Sequence, residues 1–243
     1  MHKNTILFVI AALLAGFVGG FWLANSINRS AMKSGGSVPA SSNSNSKQTK
    51  DESDLSDDEI KAKIAEGDKN PTNFAFQKEL GVALYHYSVM KKDARLFPEA
   101  VRILNRANSL NAKDFDVLVT LGNAHFDIGF AEKSTAEFQK AREIYSKALD
   151  IKPGDADVQT DLGISYFVQE PPNYDKAAAE LQKVSDANPK HERSLQFLVQ
   201  ALVKQNKIAD AEKALAKLKS IDPGNRAIPE LTTLISDARS GAE

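Results

Sequence analysis

The feature that most constrains this chain is a spacing that returns several times along it. Its clearest copy reads Leu-Gly-x-x-Tyr from Leu162, then Ala-x-x-x-Leu from Ala177, and closes at Pro189. Small residues at such positions let two helices cross closely, and large apolar residues fill the space beside them. Proline then ends the pair, because it cannot continue a helix. The spacing therefore predicts a stack of helical hairpins instead of one globular core.

Four copies of this spacing follow one another between residues 72 and 225. They are predicted over residues 72–112, 113–153, 154–189 and 190–225, and they close at Ala112, Pro153, Pro189 and Pro223. The closing positions are 41, 36 and 34 residues apart, so the second copy exceeds the last interval by seven. Seven residues are close to two helical turns and can lengthen a helix without rotating its buried face. We expect that longer helix to begin at the Ser134-x-x-Glu137 capping box.

These copies resemble the tetratricopeptide repeat family over about residues 72–225. The resemblance rests on Gly81, Gly122 and Gly163 with the Ala-x-x-x-large positions that follow each of them. No copy has the Trp that opens the family pattern, and Val199 stands where the fourth copy would have glycine. The resemblance implies an all-α fold, an α-solenoid of about four helix-turn-helix repeats.

Both ends of the array are expected to carry an additional helix. Residues 56–71 are predicted to form a leading helix, which begins at the Ser56-x-x-Glu59 capping box, spans about 56–66 and ends at Gly67. Residues 226–243 are predicted to form a C-terminal capping helix and a short tail. A repeat cannot cover its own last face, so a capping helix is expected there.

The N-terminal region is unlike the repeats. Residues 6–24 form an apolar run of 19 residues with no charged side chain. As a helix they would span about 28 Å, close to a hydrocarbon core of roughly 30 Å. We predict one N-terminal transmembrane helix, a signal-anchor; a cleaved signal peptide, the alternative, usually has a shorter apolar region. Ala12, Gly16 and Gly20 follow a spacing that lets two such helices pair, so a homodimer through the anchor is also open.

The predicted anchor lies between a short tail and a long linker. Residues 25–55 are rich in Gly, Ser and Asn and cannot bury enough apolar surface to order themselves. Residues 1–5, with Lys3, look like the n-region of a bacterial signal-anchor. That favours a single-pass protein of the bacterial inner membrane with its repeats on the extracytoplasmic side. Arg29 and Lys33 favour the opposite orientation, so the topology stays open.

The composition contains few residues that would indicate catalysis, metal binding or nucleic-acid binding. The 243 residues carry a formal net charge of −1, no Cys and four His. No basic field suggests nucleic acid, and no histidine stands at metal-ligand spacing from another. His125 takes the place of the family's Tyr on a packed helix face, which favours a structural role. We therefore expect no enzymatic activity, no cofactor and no metal.

The resemblance implies that a partner binds in a concave groove, because the first helix of each pair lines the inner side of such stacks. The residues that we predict to form the partner-binding groove are Lys78, Val82, Tyr85, Val119, Asn123, Phe126, Asp127, Ile164, Phe167, Gln200 and Lys204. The six apolar members of this set would anchor an extended or helical segment of another protein. The clamp with which some relatives hold C-terminal carboxylates is not expected. Val82, Thr120, Asp157 and Asp161 occupy most of its positions.

These observations predict a membrane-tethered protein–protein interaction scaffold, with a protein or peptide partner and no nucleic acid. Anchored extracytoplasmic proteins of the family include assembly factors of cytochrome c maturation. A chaperone-like assembly factor is therefore the alternative, and a structural self-assembling module is a third reading. The residues do not identify the partner.

Overall fold

A computed structural model describes residues 55–240. Within that range the chain forms ten α-helices, one short 3-10 helix and no strand. The helices are α1 (Asp57–Lys69), α2 (Phe74–Lys91), α3 (Phe97–Leu110), α4 (Phe115–Glu132), α5 (Thr135–Ile151), α6 (Ala156–Val168), α7 (Tyr174–Ala187), α8 (Glu192–Lys204), α9 (Ile208–Ile221) and α10 (Ile228–Ser240). The predicted all-α repeat fold is confirmed for this part of the chain.

The predicted transmembrane helix over residues 6–24 lies outside the described residues, as does the linker up to residue 54. From residue 55 to residue 240, no helix is both long and apolar enough to cross a membrane.

The helices stack in chain order. Four hairpins are formed by α2 with α3, α4 with α5, α6 with α7 and α8 with α9. Each second helix also contacts the first helix of the next hairpin, and the first helices of successive hairpins contact one another. At the far end α10 packs against α8 and α9, and it buries Leu231 and Ile235 there.

Three glycines allow the two helices of a hairpin to cross closely. A Cβ on Gly81 would lie 2.7 Å from Leu104, one on Gly122 would lie 2.6 Å from the Tyr145 ring, and one on Gly163 would lie 2.8 Å from Leu181. Carbon atoms pack at about 3.5–4.0 Å, so no larger residue fits unless the partner side chain, or the helix that carries it, moves. The large partners Leu104, Tyr145 and Leu181 are fully buried.

The first two hairpins have longer first helices than the last two. α2 and α4 each have 18 residues, whereas α6 and α8 each have 13. From the sequence, the extra length of the second copy was predicted to lie in its second helix. The structure instead divides the extra length between α4 and the 17-residue α5. The reason is packing, because the last turn of α4 brings Gly129 against Phe138 at the start of α5.

The leading helix is longer than predicted. The capping box at its start is present, since the Ser56 and Glu59 side chains each bond the other's backbone N–H. The predicted stop at Gly67 was wrong, and α1 continues to Lys69. Gly67 is a contact point: a Cβ there would lie 2.6 Å from Leu80 of α2. The Arg102 and Arg106 guanidinium groups also hold α1 against α3 by contacts to Asp68 at 2.6 and 2.5 Å.

Most helices begin at a side chain that satisfies a free backbone donor of the first turn. The N-cap side chains that accept a hydrogen bond from the amide three residues on are those of Ser56, Asn73, Asp114, Ser134, Asp155, Asn173 and His191. Such caps contribute about 0.5–2 kcal/mol each. They mark the hairpin boundaries in the sequence independently of the glycines.

Replacement of Gly122 by Val should destabilise the array by about 1–3 kcal/mol, because the new side chain meets the buried Tyr145 ring. Urea unfolding followed by circular dichroism measures this. The matched control is Gly224→Val, where the nearest atom to a new Cβ is the Asp222 carboxylate at 3.4 Å. Equal unfolding midpoints for the two variants would contradict the close-crossing account.

Candidate partner-binding face

Most of the predicted groove residues lie deeper than the sequence suggested. Tyr85, Phe126, Ile164 and Phe167 have exposed fractions of 0%, 2%, 0% and 8%. Their side chains pack between helices of the stack. The Phe126 and Phe138 rings, for example, meet edge to face with their centroids 5.4 Å apart. These four side chains are therefore part of the core in this structure. The predicted apolar strip reaches the surface only at Val82 and Val119, which are partly buried.

The accessible members of the predicted set lie on three different first helices. Lys78 and Val82 lie on α2, Val119 and Asp127 on α4, and Lys204 at the end of α8. All but Lys204 are partly buried, and Lys204 is exposed. Part of the predicted set is therefore accessible on the first helices of three hairpins, and the rest is buried.

Lys78 links the first two repeats. Its Nζ lies 2.8 Å from Asp114 Oδ2 and 3.3 Å from Asp116 Oδ2. Asp114 is also the N-cap of α4. Burial lowers the pKa of Lys78, but the hydrogen bonds and the charges of Asp114 and Asp116 together outweigh burial, and the pKa is raised. The Lys78 cation is thus engaged within the chain.

Polar side chains form a layer between the first helices and the core. The Tyr85 hydroxyl donates to Asp127 Oδ2 at 3.1 Å, which joins α2 to α4. The Tyr145 hydroxyl donates to Asn123 Oδ1 at 2.8 Å, which joins the two helices of the second hairpin. Gln200 is 3% exposed, and its amide lies 3.4 Å from the Gln196 carbonyl one turn earlier.

The next pair of first helices is joined by a buried ion pair. Arg193 Nη1 on α8 lies 2.5 Å from Asp161 Oδ1 on α6, and the two side chains are only 6% and 1% exposed. Two charges taken out of water require close pairing, because each alone is costly to bury. The contact is an ion pair and not a well-aligned hydrogen bond, because none of the three guanidinium nitrogens of Arg193 has hydrogen-bond geometry with an acceptor in the described part of the chain.

Asp127 lies in an environment that disfavours its charge. Burial raises the pKa of this carboxyl group well above its usual value, and electrostatic repulsion from Asp161 raises it further. The hydrogen bond from Tyr85 opposes both effects without cancelling them. Burial and the Asp127 carboxylate likewise raise the pKa of the Tyr85 phenol well above its ordinary value. The Tyr85 hydroxyl therefore remains a donor at neutral pH.

His125 contributes to packing in the second hairpin. Its Nδ1 lies 2.6 Å from Glu137 Oε2 on α5, and the ring is 8% exposed. Burial by itself raises the pKa of Glu137, but hydrogen bonds from Lys140 and His125 lower it overall. Among the residues that the structure describes, no three His, Cys, Asp or Glu side chains are grouped as metal ligands.

Two of the interactions that join neighbouring first helices, Tyr85–Asp127 and Asp161–Arg193, were not predicted from the sequence. Asp161 was noted only as a departure from the carboxylate clamp. The available signal was the presence of acids and an arginine on the first helices of adjacent copies. Such a pattern does not tell a solvated charge from a buried one.

Loss of the Arg193 cation should cost about 3–5 kcal/mol of unfolding free energy, because the buried Asp161 carboxylate would lose the cation that lies against it. The variant Arg193→Met tests this by urea unfolding. The double variant that adds Asp161→Asn should recover part of the loss, since it removes the stranded charge. A double variant less stable than Arg193→Met alone would contradict the charge-pair account.

Substitution of Asp127 by Asn should stabilise the protein at neutral pH. The folded pKa of Asp127 lies above the unfolded value of about 3.8. Between the unfolded pKa and the higher folded pKa, the native state holds a proton that the unfolded state has released. The free energy of unfolding of the wild type therefore falls as the pH rises between these two values. The advantage of Asp127→Asn should grow from pH 4 upward and vanish below it, as measured by unfolding midpoints over pH. Glu132→Gln, at the exposed end of the same helix, should show no such trend.

Comparisons with known proteins agree with this architecture. Two tetratricopeptide repeat family models match the chain, one over residues 122–155 and the other over residues 173–235. No curated protein gives a significant match to the sequence.

Several solved structures share the fold. A crystal structure of MamA is 22% identical, with a TM-score of 0.55, and the match covers 68% of this chain and 87% of that one. MamA from Desulfovibrio magneticus RS-1, residues 41 to the end, is 18% identical, with a TM-score of 0.52 and coverage of 68% and 89%. The C-terminal part of a TPR repeat-containing protein from Cytophaga hutchinsonii is 18% identical, with a TM-score of 0.54 and coverage of 71% and 65%.

At these identities the solved structures establish similarity of fold alone. Together with the family models, they show that this chain contains tetratricopeptide repeats, matched over residues 122–155 and 173–235, within an all-helical repeat fold.

Proposed function

We propose that this protein is a membrane-tethered interaction scaffold whose first helices hold a segment of a partner protein. Tetratricopeptide repeats generally bind proteins, and helical stacks of this kind use their inner face to do so. The proposed role is binding without catalysis, and it requires no cofactor. The tether is the apolar stretch over residues 6–24, followed by the linker over residues 25–55. We place the repeats on the extracytoplasmic side of a bacterial inner membrane.

The observation that carries the proposal is a face shared by several repeats. Val82 on α2 and Val119 on α4 remain partly accessible, although the aromatic residues beside them are buried. Charged or ionisable side chains lie on the same two helices: Lys78 on α2, and Asp116 and Asp127 on α4. An apolar centre with charged side chains around it is the usual composition of a protein-binding surface.

Buried polar bonds between neighbouring first helices support a preformed face. The Tyr85–Asp127 hydrogen bond and the Asp161–Arg193 pair each join one repeat to the next. Such bonds hold the spacing of adjacent repeats before a partner arrives, so less ordering entropy is lost on binding. With the predicted anchor and a 31-residue linker that behaves as a random coil, binding would take place within about 30 Å of a membrane, taking roughly 5–6 Å × √n.

The test is site-specific photo-crosslinking of the full chain in its native membranes. A photo-reactive side chain at position 82 or 119 should form an adduct with a distinct protein. The same side chain at position 147, an exposed lysine site on the second helix α5, should not. Adducts that depend on light but not on position would contradict a role for the inner face.

The identity of the adduct separates the alternatives. One recurrent client supports recruitment, several unfinished clients support a chaperone-like assembly factor, and a second copy of this chain supports self-assembly. Protease treatment of intact and lysed cells tests the topology in the same strain. Protection of the repeats in cells whose outer membrane alone is opened would contradict the extracytoplasmic placement.

A further inference from the structure

A groove lies on the outer side of the last two hairpins, between the second helices α7 and α9. Its volume is about 750 Å³. The apolar part of its lining is formed by Ala178, Ala179, Leu198, Leu202 and Ala214. Because the first helices line the inner side of such stacks, this groove is a surface separate from the inner face.

Basic side chains outnumber acidic ones in this groove. Lys207, Lys213 and Lys217 line it together with two aspartates, Asp175 and Asp210. Lys207 and Lys213 are exposed, and Lys217 is partly buried. The ammonium groups are therefore within reach of a molecule that enters the groove.

Both aspartates of the groove already have donors within the chain. Lys213 Nζ donates a hydrogen bond to Asp210 Oδ1 at 2.9 Å. The Gln205 side-chain amide donates to Asp175 Oδ1 at 3.0 Å. These two carboxylates therefore do little to repel an incoming anion.

Two of the three lysines are not paired with an acid. Lys217 Nζ donates to the carbonyl oxygen of Ser185 at 2.7 Å and to its hydroxyl oxygen at 2.9 Å, and both acceptors are neutral. Neither Lys217 nor Lys207 forms an ion pair with a carboxylate in the part of the chain that the structure describes. The groove thus has positive charge that a carboxylate from outside can neutralise.

The opposite end of the array carries the complementary charge. Residues 51–59 contain six acidic residues and no basic one. Leu55 is the single large apolar side chain among them, and it is 47% exposed. An acidic segment with one apolar anchor matches a groove that combines lysines with an apolar lining.

The segment of the same copy cannot reach this groove. Residues 51–55 directly precede α1, and five residues span at most about 17 Å. Three helix spacings separate the second helices α1, α3, α5 and α7, which amounts to about 24–30 Å at roughly 8–10 Å each. A segment that fills the groove must therefore come from a second copy.

We propose that the groove between α7 and α9 binds residues 51–55 of a second copy of this chain. The carboxylates of that segment lie on Lys207 and Lys217, and Leu55 lies on the apolar lining. Each copy has one groove and one segment at opposite ends, so the association is head-to-tail and extends beyond a pair. It goes beyond the proposed function and leaves the inner face free for a partner.

Such a contact is weak and depends on salt. A five-residue segment buries less than the roughly 1,000 Å² of a stable interface. Exposed charges are screened within about 10 Å at 0.1 M salt. The predicted anchor would raise the local concentration of copies in the plane of the membrane, which favours weak contacts.

The experiment uses the full chain in lipid vesicles, with equal amounts of isotope-labelled and unlabelled copies. A carbodiimide joins a carboxylate to an amine only where the two are in contact. Mass spectrometry should find peptides from residues 51–54 of one isotope joined to Lys207 or Lys217 of the other. About 0.5 M salt should reduce these mixed pairs at least about fivefold.

Charge reversal tests the pairing. The groove variant Lys207→Glu with Lys217→Glu and the segment variant Asp51→Lys with Asp54→Lys should each lose the mixed pairs, because like charges then meet. A mixture of the two variants should regain them, since each segment then finds an opposite groove. A folding defect cannot produce that recovery.

The matched control reverses two exposed lysines on the second helix α5, Lys140→Glu with Lys147→Glu, and should retain the mixed pairs. Circular dichroism checks the helix content of every variant. If a variant fails to fold, the isotope and salt results on the wild type decide the case.

An absence of mixed-isotope pairs in the wild type would overturn the proposal, as would pairs that persist unchanged in high salt. So would folded variants whose mixture regains nothing, or an equal loss in the α5 control. In native membranes, adducts of Lys207 or Lys217 with a different protein would assign the groove to that protein instead. None of these results changes the crosslinks from positions 82 and 119, which test the scaffold function alone.

Discussion

The structure depends on how closely the two helices of each hairpin can approach. Gly81, Gly122 and Gly163 let a large side chain from the second helix lie directly against the backbone of the first. Such contact buries apolar area on both sides, at about 25 cal/mol per Å². It also fixes the crossing point along each helix, because the glycine is the one position where the partner side chain fits. Successive hairpins with the same crossing then stack in the same way, and one row of first helices results.

Packing between hairpins adds a polar layer to this apolar framework. The Tyr85–Asp127 hydrogen bond and the Asp161–Arg193 pair lie between first helices of neighbouring repeats. Buried charge pairs contribute little net stability, since desolvation offsets their attraction. They do make a shifted stacking costly, because each shift would leave a buried charge alone. The inner face thus has a defined arrangement of charges instead of a uniform apolar lining.

The sequence predicted the hairpins well because their signals are local. Gly122 with Tyr145, or Gly163 with Leu181, belong to one copy, and their spacing reflects one helix crossing. The depth of a groove residue is not a local property. Tyr85 and Phe167 occupy positions that face inward in the family, but neighbouring helices cover them to 0% and 8% exposure. Gly67 was mistaken for a helix end for the same reason, since its contact is with Leu80 of the next helix.

The unequal lengths of the hairpins give the inner face a direction. α2 and α4 are five residues longer than α6 and α8, which corresponds to about 7.5 Å of additional helix at 1.5 Å per residue. The row of first helices is therefore wider in the first two hairpins than in the last two. A chain lying along the row would pass from longer helices to shorter ones, so the two possible orientations of its backbone are not equivalent. Asymmetry of this kind lets a scaffold present its cargo in a single polarity.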